Sequence, residues 1–342
     1  MSERFKIGII GCGKISGRHV EGCLLSPHVE LTGLVDPVLE RAEALARGYG
    51  ITPRVSDKLA DLIDHVDGVV IAAPNNFHRP LALQCAESGT HVLIEKPIAG
   101  TSADGVAICE AHERAGTICT VGFVTRFRDN NRSMRELIQS KYFGETLEFA
   151  YQFGSRGGWA PLSAYNLDKS AAGGGVLVVT GSHFLDRMLH WFGDPSEQTL
   201  FDDSLGGPEA NALATFRFES HGLNVRGSAR FSKTVALPAG IVVKTAQGMV
   251  LLDDTPNAPI RFRPHNESIE LNVALETKTE NVFQAQIEDF AAACRGEHAP
   301  AVSGREGLRS VILTEKLYQN RFPLADSVKR TSLHTIEDGV HE

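Results

Sequence analysis

The chain has 342 residues, which suggests two domains, each long enough to bury a core. Its 34 basic and 42 acidic side chains give a formal charge of −8. With no long basic run, this argues against nucleic acid or an anionic membrane as a principal partner. No apolar signal segment precedes the first strand and no apolar stretch approaches the roughly 18 residues of a membrane span, so a cytoplasmic protein is expected. The six cysteines show neither Cys-x-x-Cys nor metal-ligand spacing. Free buried thiols are expected, and no metal.

Phe5 to Ile10 reads as a short buried strand that runs into Gly11-Cys12-Gly13-Lys14-Ile15-Ser16. A helix-like stretch follows, and the β-branched run Val29 to Val35 ends on Asp36. Strand, glycine turn, helix, strand and acid in this order form the context of dinucleotide binding. Gly11 permits a tight turn. Gly13, lacking Cβ, lets a pyrophosphate reach backbone amides at the helix N-terminus, with Lys14 and Ile15 beside it. Ser16 stands where the third glycine of the fingerprint is usual. Asp36 suits the adenosine ribose hydroxyls and would repel a 2′-phosphate, which favours NAD(H) over NADP(H).

Pro37 opens a helix ended by Gly48, and Ser56 or Asp57 can cap a short helix over 58–63. Gly68 to Ala73 reads as a fully buried strand, followed by Pro74-Asn75-Asn76-Phe77-His78. A helix over 80–88 and the strand His91 to Ile94 lead to Glu95-Lys96-Pro97. Thr101 and Asp104 resemble a capping box before the next helix, and Thr117 to Val121 is a further strand. This alternation predicts an α/β Rossmann domain over 1–122, with a doubly wound parallel sheet.

The remaining residues, 123–342, predict an α+β domain for substrate binding and oligomerisation. Helices are expected over 130–139, 176–192, 282–294 and 305–320. Extended or β-rich runs are expected over 146–153, 212–218, 225–231, 241–245 and 249–252. These strands suggest a large, mainly antiparallel sheet with one face covered by helices. An exposed apolar sheet face would favour a homodimer or homotetramer.

Lys96 follows a buried strand, so its ammonium would enter the crevice at the sheet's C-terminal edge, and Pro97 restricts it to an extended conformation. A surface lysine paired with Glu95 fits the same pattern. His183 can pass a proton near neutral pH, although a histidine on an apolar helix is more often a core residue. The spacing alone does not identify catalysis.

The chain resembles the glucose-fructose oxidoreductase, inositol dehydrogenase and MocA family. The resemblance rests on Gly8-Ile9-Ile10-Gly11-Cys12-Gly13 with His19, on Asp36, Pro74 to His78, Glu95-Lys96-Pro97, Val121-Gly122-Phe123 with Arg126-Phe127, and on Gly173-Gly174-Gly175 through Gly181-Ser182-His183 and Asp186. It implies a nicotinamide-dependent oxidoreductase acting on a secondary hydroxyl or keto group of a sugar, inositol or nucleotide-sugar. Lys96 would orient substrate and contact nicotinamide, and His183 would donate or accept the proton. Asn75 and Glu95 would line the cofactor cleft with Pro74 and His78, and Arg126 would lie near cofactor or substrate. Trp159, Tyr165, Asn166, Lys169 and Thr180 are candidate substrate contacts. Many family dehydrogenases carry an Asp four residues before the helix histidine; here that residue is Val179. Two other readings stay open: a redox-neutral NAD-assisted glycosidase of the same family and, because of Val179, a noncatalytic cofactor-binding regulatory protein.

Overall fold

Six short apolar strands make the first sheet: β1 Phe5–Ile10, β2 Val29–Val35, β3 Arg54–Ser56, β4 Gly68–Ile71, β5 His91–Ile94 and β6 Cys119–Val121. The computed structural model describes residues 3–156, 173–204, 208–219, 224–276 and 278–325. All six strands pair in parallel, in the order β3-β2-β1-β4-β5-β6. Parallel neighbours need crossovers, and these include α1 Ser16–Leu25, α2 Leu39–Tyr49, α3 His78–Glu87 and α4 Ser102–Ala115. Val69, Ile71, Val92 and Ile94 enter one buried cluster, while Val70 and Leu93 enter another. Burial on both faces explains why these strands read as continuous apolar runs. The order reverses between β1 and β4, and such a switch point opens the crevice where ligands of open α/β sheets bind.

Local signals place the helix ends. Thr101 Oγ1 accepts the Asp104 N–H at 3.1 Å, as the capping pattern predicts. The expected helix after Ser56 is instead two 3₁₀ turns, Leu59–Asp61 and Ile63–His65. Ser56 Oγ accepts the Lys58 N–H at 3.1 Å just before them.

The second sheet has nine strands: β7 Thr146–Gly154, β8 Glu197–Asp202, β9 Asn211–Phe218, β10 Val225–Ser232, β11 Leu237–Thr245, β12 Gly248–Asp253, β13 Ile260–Pro264, β14 Leu271–Val273 and β15 Arg321–Pro323. They run in the order β14-β13-β12-β11-β7-β10-β9-β8-β15. Pairing is mainly antiparallel, with β7–β10 and β8–β15 parallel. Strand β9 shows the logic of alternation: Ala212, Ala214, Phe216 and Phe218 are buried, and Leu213, Thr215 and Arg217 are only partly so. The buried face meets α5 Asp129–Gln139 and α6 Ser182–Phe192. Phe149 stacks on Phe192 at 4.9 Å and Tyr151 on Phe184 at 3.9 Å. Each buried ring of this kind contributes about 1.5–3 kcal/mol.

The sequence reading extends one helix over 176–192. The structure instead has a π-helical segment, Leu177–Gly181, and regular α-helix from Ser182. Two late helices, α7 Val282–Cys294 and α8 Gly304–Gln319, complete the fold. Contacts divide the chain into two compact units: one up to Phe127 plus Thr279–Ile312, the other Arg128–Lys278 plus Leu313 onward. This grouping by contacts differs from the expected 1–122 and 123–342 division chiefly in residues 279–312. The cause is the return of α7 and the start of α8 to the first sheet: Phe290 meets Phe5 edge-on at 5.8 Å, and Leu308 joins the cluster of Val121 and Ile108.

Candidate active site

The glycine turn after β1 has the shape its sequence implies. Gly11 adopts φ +91°, and a Cβ there would lie 2.7–2.8 Å from backbone atoms of Ala72 and Ala73. Only glycine fits such a position. A Cβ on Gly13 would meet nothing within 4 Å. Gly13, Lys14 and Ile15 are exposed at the start of α1, a helix with no acidic residue in its first turn. The opening fits a pyrophosphate approaching backbone N–H groups. Ser16 is fully buried and its hydroxyl donates to the Gly13 carbonyl, so the small residue in the third position closes the turn.

Asp36, 4 % exposed, lies just beyond β2. Its Oδ2 accepts the Cys12 N–H at 2.8 Å and its Oδ1 the Val38 N–H at 2.9 Å. The carboxylate is thereby locked beside the glycine turn, and each oxygen retains acceptor capacity. Burial, reinforced by the Asp36 charge, pushes the Cys12 thiol up to about 12, which makes it a packing residue and not a nucleophile.

The loops after β4 and β5 carry the next group. Pro74 is exposed and Asn75 is buried. His78 is 1 % exposed; its Nδ1 faces the Pro97 carbonyl and its Nε2 the Ala73 carbonyl, both at 2.9 Å. Burial lowers its pKa below the ordinary value. The side chain is thus spent on tying the Ala73 loop to the Lys96-Pro97 loop. Lys96 is half-buried and follows β5 directly. Glu95 accepts from His19 Nε2 at 2.8 Å and from the Lys96 backbone N–H at 3.2 Å. Burial pushes the Glu95 carboxyl up, but the His19 hydrogen bond and the neighbouring Lys96 charge and amide outweigh it, and the net shift is downward. Arg126 is buried in a 3₁₀ turn over Val124–Phe127, with Nη2 3.4 Å from Glu306 Oε2.

In the second unit His183 is half-buried in the first turn of α6. The π segment before it alters the reading of the missing Asp. Its i→i+5 spacing brings Val178 as well as Val179 into the preceding turn, and neither carries a carboxylate. Thr180, in the same segment, is half-buried. The carboxylate nearest in sequence on the helix is Asp186, one turn later and 1 % exposed. Trp159, Tyr165, Asn166 and Lys169 lie outside the described residues.

Sequence reasoning missed how α6 is anchored. Asp254, beyond β12, takes both Arg187 Nη atoms, at 2.9 and 2.7 Å. It also accepts from Arg128 Nη1 at 3.0 Å and from the Tyr151 hydroxyl at 2.6 Å. Burial raises the Asp254 carboxyl, yet the Arg187 charge and hydrogen bonds win and hold it well below 3.8. Arg187 Nε also reaches the His183 carbonyl at 3.4 Å. The segment entering α6 is held separately: the Glu209 carboxylate accepts the Gly175 and Leu177 N–H groups at 3.0 and 2.9 Å and the Tyr318 hydroxyl at 2.9 Å. The Asp186-Arg187 pair inside the apolar stretch Phe184 to Leu189 is a sequence signal of the first anchor, whereas Glu209, after Gly206-Gly207-Pro208, gives none for the second.

Among the described residues no group of His, Cys, Asp and Glu could hold a metal ion, and no helix is long and apolar enough to cross a membrane. The chain is 29 % identical over 204 residues to D-glucoside 3-dehydrogenase of Escherichia coli, covering 58 % of this chain and 57 % of that protein. It is 24 % identical over 320 residues to myo-inositol 2-dehydrogenase of Thermotoga maritima, covering 90 % of this chain and 93 % of that one. In fold it matches the WlbA dehydrogenase of Bordetella pertussis, solved with NADH and UDP-GlcNAcA, with TM-score 0.81 and 20 % identity over 94 % of this chain and 96 % of that one. Residues 5–123 match an oxidoreductase family with an NAD-binding Rossmann fold, and residues 131–250 match the GFO/IDH/MocA C-terminal domain. Since the two matched regions fall in the two sheets and together span most of the chain, the protein belongs to the Gfo/Idh/MocA oxidoreductase family.

Proposed function

We propose that the protein is a nicotinamide-dependent dehydrogenase or reductase that interconverts a secondary alcohol and a ketone on a sugar, inositol or nucleotide-sugar. The observation that carries this reading is the emergence of Lys96 from β5, beside a buried carboxylate, on a sheet whose glycine turn and Asp36 suit a dinucleotide. Relatives that act on D-glucoside, myo-inositol and, by its bound ligand, UDP-GlcNAcA support the substrate class.

Gly11, Gly13, Lys14 and Ile15 would hold the pyrophosphate, and Asp36 the adenosine ribose. Pro74, Asn75 and Glu95 would line the nicotinamide end, with Arg126 near cofactor or substrate and His78 holding the loops in place. The cofactor, when bound, supplies or receives the hydride at nicotinamide C4. His183 moves the hydroxyl proton, and Lys96 orients the reacting oxygen and stabilises negative charge that develops on it. Thr180 would touch substrate, and residues 159, 165, 166 and 169 remain substrate-contact proposals. Asp36 favours NAD(H) over NADP(H). The six free cysteines suit a reducing, cytoplasmic setting.

With a verified sugar substrate, Lys96→Ala and His183→Ala should each lower kcat by about 10²–10⁴-fold. Full turnover in both would remove them from the chemistry. The partly buried apolar residues Leu213, Val242, Met249 and Leu251 on the second sheet support a homodimer or homotetramer. Sedimentation of the purified chain as a monomer would contradict that.

A further inference from the structure

Three elements of the first unit converge on one carboxylate. The Glu95 side chain is 12 % exposed; one oxygen accepts from His19 Nε2, on α1, at 2.8 Å, and the other accepts the Lys96 N–H at 3.2 Å. Gly122, just past β6, makes room for it. A Cβ there would stand 3.1 Å from Glu95 Cα and 3.2 Å from its Cδ and Oε1. The acid is therefore gripped from α1, from β6 and from the backbone of the lysine that follows it.

The protonation state of His19 follows from its other nitrogen. The ring is fully buried and perpendicular to Phe283, with centroids 5.2 Å apart. Among the described residues Nδ1 has no hydrogen-bond partner. An imidazolium would bury an N–H without an acceptor, whereas the neutral Nε2–H tautomer leaves only an unused lone pair. The hydrogen must then sit on Nε2, and Glu95 is its ionised acceptor.

We propose that His19 is a positioning residue for Lys96. Its Nε2–H fixes the Glu95 carboxylate, Glu95 fixes the Lys96 backbone, and the lysine side chain is thereby set on its course into the crevice. This rests on the reading of Lys96 as the substrate-orienting group, and adds that α1 serves the chemistry through His19 as well as the cofactor through its N-terminus. A neutral donor is sufficient, so the pair sets geometry and transfers no proton.

The test uses the full chain labelled with 15N-histidine and 15N-lysine, and the variants His19→Leu, His19→Gln and Glu95→Gln. His19 should show the Nε2–H tautomer at neutral pH. The Lys96 amide resonance, assigned with Lys96→Arg, should move in His19→Leu and Glu95→Gln and return toward its original position in His19→Gln, which restores a donor. With substrate, His19→Leu should lower kcat about tenfold while KM and the NADH Kd stay within about threefold, and His19→Gln should recover most of the loss. A proton on His19 Nδ1, or a Lys96 amide unmoved by His19→Leu, overturns the positioning role, whether or not the protein turns over a sugar. The stated amide responses in a protein without turnover uphold the positioning role and contradict the dehydrogenase reading instead. If His19→Leu does not fold, Glu95→Gln and His19→Gln supply the same comparison.

Discussion

At the scale of single residues, Asp36 is the sharpest case of chemistry set by backbone. Its two bonds to the Cys12 and Val38 N–H groups hold the carboxylate still, which would lower the ordering cost of the proposed ribose contact. Asp36→Ala strands the buried Cys12 N–H and frees the part-buried Val38 N–H, and should cost about 1–3 kcal/mol of stability in urea unfolding. It should also weaken NADH much more than NADPH in calorimetric titration. An unchanged ratio of the two affinities would deny Asp36 its part in cofactor choice. The positions of Gly11, Gly13, Asp36 and Lys96 just past their strands were legible because each depends on its immediate neighbours in the chain. The His19 to Glu95 contact was not, since 76 residues separate them and nothing local to either announces the other.

At the scale of elements, strands buried on both faces were readable as apolar runs, and the helix ends as caps. The π segment was not, because Leu177-Val178-Val179-Thr180-Gly181 has no composition that separates it from ordinary helix. The strands β13 and β14 at one end of the second sheet were missed because they are short: β13 has five residues and ends on Pro264, and β14 has three, with Leu271 exposed. Asp254 joins β12 to α6 through two guanidinium groups and the Tyr151 hydroxyl. Removing it would leave Arg128 and Arg187 facing each other without a counter-charge. Asp254→Ala should therefore cost about 3–5 kcal/mol in denaturant unfolding. The pH dependence has a definite sign. The folded carboxyl titrates below its ordinary 3.8, so its contribution is present above that value and is lost as pH falls below it. Wild-type stability should fall through this acid range, and the Asp254→Ala variant should lack that part of the fall. Parallel acid limbs for the two proteins would show that Asp254 is not the group responsible.

At the scale of the whole molecule, the class of both sheets was legible, but the grouping of residues into units was not. Residues 279–312 belong with the first sheet, because α7 supplies apolar surface, Phe290 and Ile287 among it, that the cluster around Ile7 and Leu34 needs. A contact between residues almost three hundred positions apart leaves no periodic trace in sequence. Of the two chemical candidates, Lys96 belongs to the first unit and His183 to the second. The most direct measurement is transfer of deuterium from NADH labelled at nicotinamide C4 to a panel of keto-sugars, keto-inositols and keto-nucleotide-sugars, read by mass spectrometry of the products. Deuterium on the former carbonyl carbon of at least one product, with stoichiometric loss of NADH and dependence on Lys96 and His183, is the predicted result. NADH binding with no deuterium in any product would contradict it.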